Sequence, residues 1–438
     1  MNRPGVSFPN KKCFNSLFRS YLKKGRFLLI TVCLFSKLHA QSVTDSSQNE
    51  VQPTDLTDVI KHLFNKTVDT LKTKKSIAIL PAIGYNPSMG FFIGAKASAG
   101  IQKGDPANTS LSIIGLEAVY SSKGIVTLQA RHNIFTTHNK WNLQGHWQLS
   151  KYGMIDYGLG TGNRNFKGAG FIINDFSIKN GDSSFPIKYN YVRFTEKIYR
   201  KIGPHLYAGG GLSFEIFAKI EDQKVTNTFA TPHFRYSARH GFNPKKYAAN
   251  GFILNLQYNT REHPIRSYGG IYADLSFRFN RELIGSSTNA AQLQYDFRKY
   301  WSLSKRNPEH VLALWHWASY KLAGAIPYQA LPFTGSDTYN RSGRGYTVGR
   351  FKGPNYACFE TEYRFPITRN KLISGVCFFS MQTASDDRDK QVFEAWDPGG
   401  GAGLRILFQK DSRTAICIDF GKGRYGSSGL FFGLNEIF

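Results

Sequence analysis

The tripeptide Arg344-Gly345-Tyr346 is the most chemically distinctive feature of this sequence. A guanidinium group offers five donors in a planar fork, so one arginine can hold two acceptors at once. Gly345 permits a tight turn that would let the tip approach a neighbouring wall closely. The chemistry predicted here is therefore non-covalent ion pairing, unless Arg344 is one of the many arginines exposed on protein surfaces.

Other reactive residue types do not combine into a recognisable catalytic or metal site. The segment 158–162 has phosphate-loop glycines, but no strand-to-helix transition follows it. Ser319 lies near His316 without a matching acid or motif, and the eleven histidines show no metal-ligand spacing. We therefore expect no enzyme, no catalytic residues, no metal and no cofactor.

The elements that must position Arg344 are predicted to be β-strands. From Ser76 onward, short segments of alternating apolar and polar residues are separated by Gly, Asn, Pro and charged turns. In 413–421, for example, Ile416, Ile418 and Phe420 point one way while Asp419 points the other. The predicted strands are 76–84, 89–102, 109–121, 124–135, 139–151, 184–198, 203–217, 248–259, 269–280, 289–302, 308–320, 355–366, 371–382, 401–409, 413–421 and 429–438.

Composition and strand number together indicate a membrane barrel. A mean hydropathy of -0.34 is too polar for a helical membrane protein, yet 35 Phe, 23 Tyr and 42 Gly are unusual for a soluble domain. Strands of a barrel expose only every second residue to lipid, and bacterial barrels have an even number of strands. The sequence therefore predicts an all-β fold, a 16-stranded antiparallel transmembrane β-barrel.

Alternation also predicts which residues face inward near Arg344. Three connections exceed turn length, 152–183, 218–247 and 321–354, and the last of them contains Arg344. The inward carboxylates Asp419, Glu360 and Glu362 are the candidate salt-bridge partners.

The first and last strands carry their own signals. Phe432, Leu434 and Phe438 alternate along one face of the last strand and end the chain on an aromatic residue, as is typical of a strand built for a bilayer. Pro81 removes a ladder donor from the first strand, and Gly429 and Gly433 weaken the last. These residues predict a thin closing seam, although Pro81 would equally mark the start of the first strand.

The N-terminus predicts export. Residues 1–40 contain eight Lys or Arg, no acids, and an apolar run from Phe27 to Phe35 that is too short to span a bilayer. We interpret 1–40 as a signal peptide, 41–75 as a short periplasmic lead with a small helix near 54–66, and 76–438 as the barrel. Export without a helical anchor indicates the bacterial outer membrane.

Net charge indicates which partners to expect, and cysteine content indicates whether disulfides are expected. The net charge of +26 favours anionic lipids and lipopolysaccharide at the barrel rims rather than nucleic acid, for which no motif is present. Cys358, Cys377 and Cys417 remain after signal cleavage. Alternation places Cys377 on the lipid side and the other two inward, so we expect free thiols.

Ordered motifs in the second half of the chain resemble the BamA/TamA family, also called the bacterial surface antigen superfamily. The matching pieces cover about residues 250–438 and are Leu256-Gln-Tyr-Asn-Thr-Arg-Glu-His-Pro264, Gly270-Ile-Tyr272, Arg298-Lys-Tyr300, Arg344-Gly-Tyr346, Glu362-Tyr-Arg-Phe-Pro366 and Gly401-Ala-Gly-Leu-Arg405. The resemblance implies that the loop between the eleventh and twelfth strands folds into the lumen, where inward acids hold its Arg-Gly-Tyr tip.

The chain also departs from this family. Ser380 and Gln382 stand in the thirteenth strand where an Asp and a Gly are usual, which shifts the pairing of Arg344 to the other acids. Glu436 is unusual in a terminal strand. The 35 residues between Gln41 and Ser76 are too few for a POTRA domain, so we expect a barrel-only member.

The resemblance implies a role in inserting, assembling or translocating proteins or lipids at the outer membrane. Unfolded outer-membrane proteins or other outer-membrane subunits are the expected partners. We hypothesise that the seam parts to template an incoming strand by edge addition. The alternatives are a passive pore plugged by the 321–354 loop and a structural accessory subunit of a larger complex.

Overall fold

The computed structural model describes residues 53–63, 75–86, 90–162, 171–173, 176–178, 185–226, 229–388, 391–436 and 438. The predicted signal peptide and most of the predicted lead lie outside these residues. Among the described residues, no helix is long and apolar enough to cross a bilayer.

The protein is an all-β antiparallel barrel, as predicted. Its strands are β1 (Lys75–Asn86), β2 (Gly90–Ile101), β3 (Ser112–Ser121), β4 (Val126–Phe135), β5 (Trp141–Asp156), β6 (Phe171–Ile173), β7 (Phe176–Ile178), β8 (Phe185–Gly203), β9 (Leu206–Asp222), β10 (Lys246–Ala248), β11 (Gly251–Asn259), β12 (Gly270–Asn280), β13 (Ala290–Ser302), β14 (Val311–Ala323), β15 (Asn355–Pro366), β16 (Ile373–Ala384), β17 (Asp397–Gln409), β18 (Thr414–Gly423) and β19 (Ser428–Leu434). The helices among the described residues are α1 (Leu56–Leu63), α2 (Pro232–Arg239) and three short 3-10 turns.

The wall has sixteen strand positions in the described chain, which agrees with the predicted number. Each strand pairs antiparallel with the next along the wall, and β6 and β7 form a separate two-stranded ribbon. β10 and β11 both pair with β9 and occupy one position in succession. The connection 324–354 therefore lies between the eleventh and twelfth wall strands, β14 and β15.

Side chains alternate across the wall as the sequence predicts. Along β11 the residues are buried and exposed in strict turn, with Leu254 and Leu256 outward and Asn255 and Gln257 inward. Inward charges are paired along the inner face of the wall: Arg193 with Glu215 at 3.0 Å, Lys197 with Asp274 at 3.4 Å and Arg298 with Asp296 at 2.6 Å. Cys377 is exposed, while Cys358 and Cys417 are buried, and all three are free thiols.

Several element boundaries differ from the prediction. β5, β8 and β9 run further than expected, because the residues added at their C-terminal ends include the buried Met154, Tyr199 and Ile220. Met154 and Ile220 pack into one cluster with aromatic residues of β8 and β9. α2 was not predicted within 218–247. The dipeptide Thr231-Pro232 marks the start of this helix in the sequence. The Thr231 hydroxyl accepts from Phe234 N at 3.3 Å, and proline suits the first helical turn.

α1 lies within the helix predicted near 54–66. Asp55 caps it, accepting from the backbone N of Asp58 at 2.9 Å. Lys410, in the turn between β17 and β18, donates to Asp55 through its backbone N at 2.9 Å and to Asp58 through its side chain at 2.8 Å. The helix is thereby fixed to the end of the barrel that carries the short turns.

Candidate functional site

The connection 324–354 turns back against inward-facing wall residues. Its two limbs are joined by backbone hydrogen bonds from Thr334 N to Phe351 O (2.8 Å) and from Gly349 N to Thr334 O (2.9 Å). Arg344, near the tip, is only 2% exposed. The segment is therefore an inward-folded loop within the lumen.

Arg344 is the centre of a buried ion-pair network. Its Nε donates to Glu360 Oε1 at 2.8 Å, Nη1 donates to Asp419 Oδ2 at 2.9 Å, and Nη2 donates to both Glu360 and Glu362. The structure thus brings Arg344 together with all three candidate carboxylates. The ring of Phe378 lies 3.7 Å from the guanidinium carbon. One loop residue is bonded to β15 and to β18 at once.

Further arginines surround the same carboxylates. Arg405 donates to Asp419 at 2.5 Å and to Glu436 at 2.7 Å, and Arg364 donates to Glu362 at 2.6 Å. Arg266 lies 3.5 Å from Glu436. Four cations, Arg266, Arg344, Arg364 and Arg405, therefore face four anions, Glu360, Glu362, Asp419 and Glu436. We call these eight residues the lumenal charge cluster.

The carboxylates of the cluster favour the ionised form of Arg344. Burial alone would lower the pKa of Arg344, but the adjacent Glu360, Glu362 and Asp419 outweigh it and raise the pKa above its ordinary value. Equal numbers of opposite charges at hydrogen-bonding distance offset much of the cost of burying them. The cluster can therefore hold a loop in place.

Gly345 and Tyr346 fix the position of the loop tip. Gly345 has φ +100°, and a Cβ there would lie 2.9 Å from the carbonyl oxygen of Lys422 in β18. The Tyr346 hydroxyl donates to Pro398 O at 2.5 Å and accepts from Arg424 N at 2.9 Å. The motif therefore contacts β17 and β18 as well as β15.

The substituted positions in the thirteenth wall strand contact the loop by other means. The Ser380 hydroxyl donates to the carbonyl oxygen of Arg344 at 3.4 Å. Gln382 Oε1 accepts from Thr334 at 2.7 Å and from Tyr356 at 2.6 Å. These contacts of the thirteenth wall strand are neutral hydrogen bonds, and the ion pairs of Arg344 are made with carboxylates of β15 and β18.

The base of the loop is held by a second buried cation. Lys352 Nζ donates to Gln329 Oε1 at 3.0 Å, lies 3.9 Å from Asp156 Oδ1, and sits 4.4 Å from the centre of the Tyr328 ring. Tyr328 donates to Asp156 at 2.9 Å. Burial lowers the pKa of Lys352 to about 8, although Asp156 opposes the shift.

The end of the chain does not follow the predicted strand. Phe432 faces outward and is 59% exposed, but Leu434 is buried and Phe438 is 4% exposed. β19 ends at Leu434 because Asn435 adopts φ +73°, which breaks the pleat. The prediction that Phe438 faces lipid is therefore wrong. Its ring stacks on Trp315 at 5.2 Å inside the barrel, and its carbonyl oxygen accepts from Arg364 at 2.8 Å.

Arg341 and Glu436 are the functional residues that sequence reasoning missed. Arg341, three residues before Arg344, donates to the carbonyl oxygens of Leu434 (2.6 Å), Asn435 (3.1 Å) and Glu436 (2.5 Å). Glu436 was the one acid in an otherwise apolar terminal pattern, and it turns inward to Arg405. The loop thus contacts both the wall and the end of the chain.

The seam residues lie as follows. Pro81 is opposite Ala95 in the β1–β2 ladder, while Gly429 and Gly433 are opposite Gly421 and Cys417 in the β18–β19 ladder. Between the described residues of β1 and those of β19, no ladder pairing is present.

Comparison with known proteins identifies the fold independently. A family model described as the Omp85 superfamily domain matches residues 170–409. The solved structure of BamA from Haemophilus ducreyi lacking POTRA domains 1–3 aligns with a TM-score of 0.51 at 14% identity, over 83% of this chain and 70% of that one. CdiB from Escherichia coli aligns with a TM-score of 0.51 at 9% identity, over 82% and 62% of the two chains. No curated protein sequence matches significantly.

Proposed function

This chain belongs to the Omp85 superfamily, whose barrels lie in the bacterial outer membrane, and from that premise we propose that it helps to insert, assemble or translocate proteins or lipids there. The N-terminal 40 residues would direct export. Unfolded outer-membrane proteins, other outer-membrane subunits, and the lipids or lipopolysaccharide at the rims would be its partners. The work would be done by binding and conformational change, without covalent catalysis.

The observation that carries this proposal is the attachment of Arg344 to β15 and β18. A loop held by several buried charge-assisted hydrogen bonds occupies the lumen at defined positions. Because the same loop contacts the end of the chain through Arg341, its position is coupled to the geometry of the last wall strands. Such coupling suits a barrel whose wall must change during its work.

We further propose that the β1–β19 seam is where a client strand is templated. Pro81 cannot donate to a ladder, and Gly429 and Gly433 contribute no side chain to it. The chain leaves the wall at Asn435, so the last strand is short. An exposed strand edge is able to pair with an incoming strand.

The proposal is tested by insertion of an unfolded client into vesicles. The purified barrel is reconstituted into lipid vesicles, and a urea-unfolded eight-stranded outer-membrane barrel is added. We expect the client to fold faster than in empty vesicles. In Arg344→Ala this acceleration should be lost although the variant barrel is still folded. Equal rates with and without the wild-type barrel would contradict an assembly role.

Seam opening needs its own test. Cysteine pairs joining β1 to β19, in a Cys377→Ser background, should block client folding when oxidised and restore it when reduced. Full activity of the crosslinked barrel would count against the seam.

A plugged pore is the second candidate, and one observation favours it. A polar cavity of about 260 Å³ lies in the lumen beside the loop, lined by residues that include Arg131, Arg193 and Glu215. A pore predicts that Arg344→Ala raises single-channel conductance and liposome swelling while client folding is never accelerated. An assembly factor predicts lost client folding.

A further inference from the structure

A hydrogen-bonded histidine–glutamate pair lies on the outward face of the barrel, away from the lumenal charge cluster. His132, Gly145 and Glu196 are register partners on β4, β5 and β8, so their side chains share one face. That face is the outward one, because Trp147 lies on it and is 44% exposed. His132 Nε2 is 3.2 Å from Glu196 Oε2, and Trp147 Nε1 donates to the same oxygen at 3.1 Å.

The pair lies within the apolar band of the wall. On β8, Glu196 is flanked on its own face by Phe194 and Ile198, which are both exposed. Four residues below it, Arg200 stacks on Trp141 at 5.7 Å, a combination typical of the membrane interface. Four residues of a tilted strand span about 10 Å of depth, and the apolar band of a barrel is about 25 Å tall. Glu196 therefore lies about 10 Å from the interface marked by Arg200, within the apolar band.

The wall is shaped to accommodate this pair. A Cβ at Gly145 would overlap His132 Nε2 and lie 2.5 Å from Glu196 Oε2, so any larger residue would require the ends of both side chains to shift. The Trp147 ring meets His132 edge-on at 5.6 Å and stacks on Phe194 at 5.7 Å. The carboxylate is thereby held at one position on a surface where charge is costly.

The contacts of the pair leave a negative charge at the surface. His132 Nδ1 is buried without a hydrogen-bond partner, which fits a neutral imidazole donating through Nε2. Both donors to Glu196 reach Oε2, and within the described part of the chain no hydrogen bond to Oε1 is present. Oε1 is therefore an acceptor open to a group outside this chain.

A groove adjoins the pair on the same face. It has a volume of about 400 Å³ and is lined by the small side chains of Ala95, Ala97, Ala118 and Ala130 between Leu128 and Trp147. Small residues allow another backbone to approach closely within a membrane, and polar groups at such contacts hydrogen-bond across them.

We propose that this outward face binds a membrane-embedded segment of a different protein, which places a basic side chain on Glu196. A lipid ammonium group belongs at the interface and would have to enter the apolar band to reach Glu196. A second copy of this chain would bring two like carboxylates to a two-fold contact, because such an interface uses the same patch on both subunits. A transmembrane segment of another protein can carry a donor at the required depth.

The test is photocrosslinking of the full chain in its own outer membrane. p-Benzoylphenylalanine replaces Leu128 in the groove or, as a matched control, Leu314, which lies beside the outward but uncharged pair Tyr295–His316. We expect a discrete adduct with another protein at Leu128 and none at Leu314. Glu196→Gln, which keeps the size of the side chain, should reduce that adduct at least about tenfold.

Heat-modifiable migration shows whether each variant has folded. If Glu196→Gln does not fold, Glu196→Leu continues the apolar pattern of the face and serves as the same test. The proposal is overturned by an adduct that persists without the charge of Glu196. It is equally overturned if Leu128 crosslinks only to lipid, only to a second copy of this chain, or no more than Leu314.

Discussion

Replacing Arg344 by alanine should destabilise the barrel severely. The variant removes one cation from four and leaves Glu360, Glu362 and Asp419 buried. Glu360 suffers most, because its hydrogen bonds from side chains all come from Arg344 and its Oε2 already lacks a partner in the described structure. Breaking a buried ion pair by removing one partner costs about 3–5 kcal/mol, and we expect a loss of unfolding free energy in that range.

A second substitution separates charge from packing. Arg344→Ala combined with Glu360→Gln returns the cluster to equal numbers of opposite charges, so it should recover about 1–2 kcal/mol of the loss. Arg344→Lys keeps the charge but replaces a planar fork by a point donor, so it should fall between wild type and Arg344→Ala.

The assay is urea unfolding of the purified barrel in detergent micelles, followed by tryptophan fluorescence and heat-modifiable migration. Urea is preferred to guanidinium, which would screen the ion pairs being measured. A loss below about 1 kcal/mol in Arg344→Ala, or no recovery in the double variant, would refute the view that uncompensated carboxylates dominate the cost.

Three further predictions concern the loop and the chain end. Gly345→Ala should cost about 1–3 kcal/mol in the same unfolding assay, more than Gly426→Ala, because both have positive φ but only Gly345 faces a close carbonyl oxygen. The pKa of Lys352 in the fold is about 8, below its value in the unfolded chain, so the unfolded chain binds more protons between these two pH values. The unfolding free energy of wild type should therefore rise by about 2 kcal/mol relative to that of Lys352→Met between pH 8 and pH 10, measured in the same assay. Arg341→Ala should let carboxypeptidase release the C-terminal residues from the folded barrel, while wild type and Arg306→Ala, changed in the 303–310 turn, should resist; equal release from all three would contradict the role of Arg341.

The barrel was predictable because strand alternation has an exact period of two. Once the strands were placed, the inward direction of Glu360, Glu362 and Asp419 followed from their apolar neighbours, without any knowledge of three-dimensional contacts. The inward fold of the 324–354 loop was different. It rested on the family resemblance, since the residues alone left Arg344 free to be an exposed loop arginine.

The end of the chain was not predictable from the same rule. Leu434, Glu436 and Phe438 share one parity, so alternation continued the strand to the last residue. An outward Glu436 would have faced lipid at a cost, whereas a turn at Asn435 brings it to Arg405 and Arg266. The competing interactions come from residues far away in the sequence, and no local pattern contains them.

Glu436 and Glu196, the acids of two different charged sites of the barrel, differ in their surroundings. Glu436 avoids the lipid face because the lumen offers it arginines, and the lumenal charge cluster is internally balanced as a result. Glu196 remains on the lipid face although the chain could carry an apolar residue there, and Gly145 leaves room for it. A strand built only for stability would follow the apolar pattern of Phe194 and Ile198. Within the described chain Glu196 is contacted by His132 and Trp147 through Oε2, and Oε1 is the acceptor that the proposed partner would use.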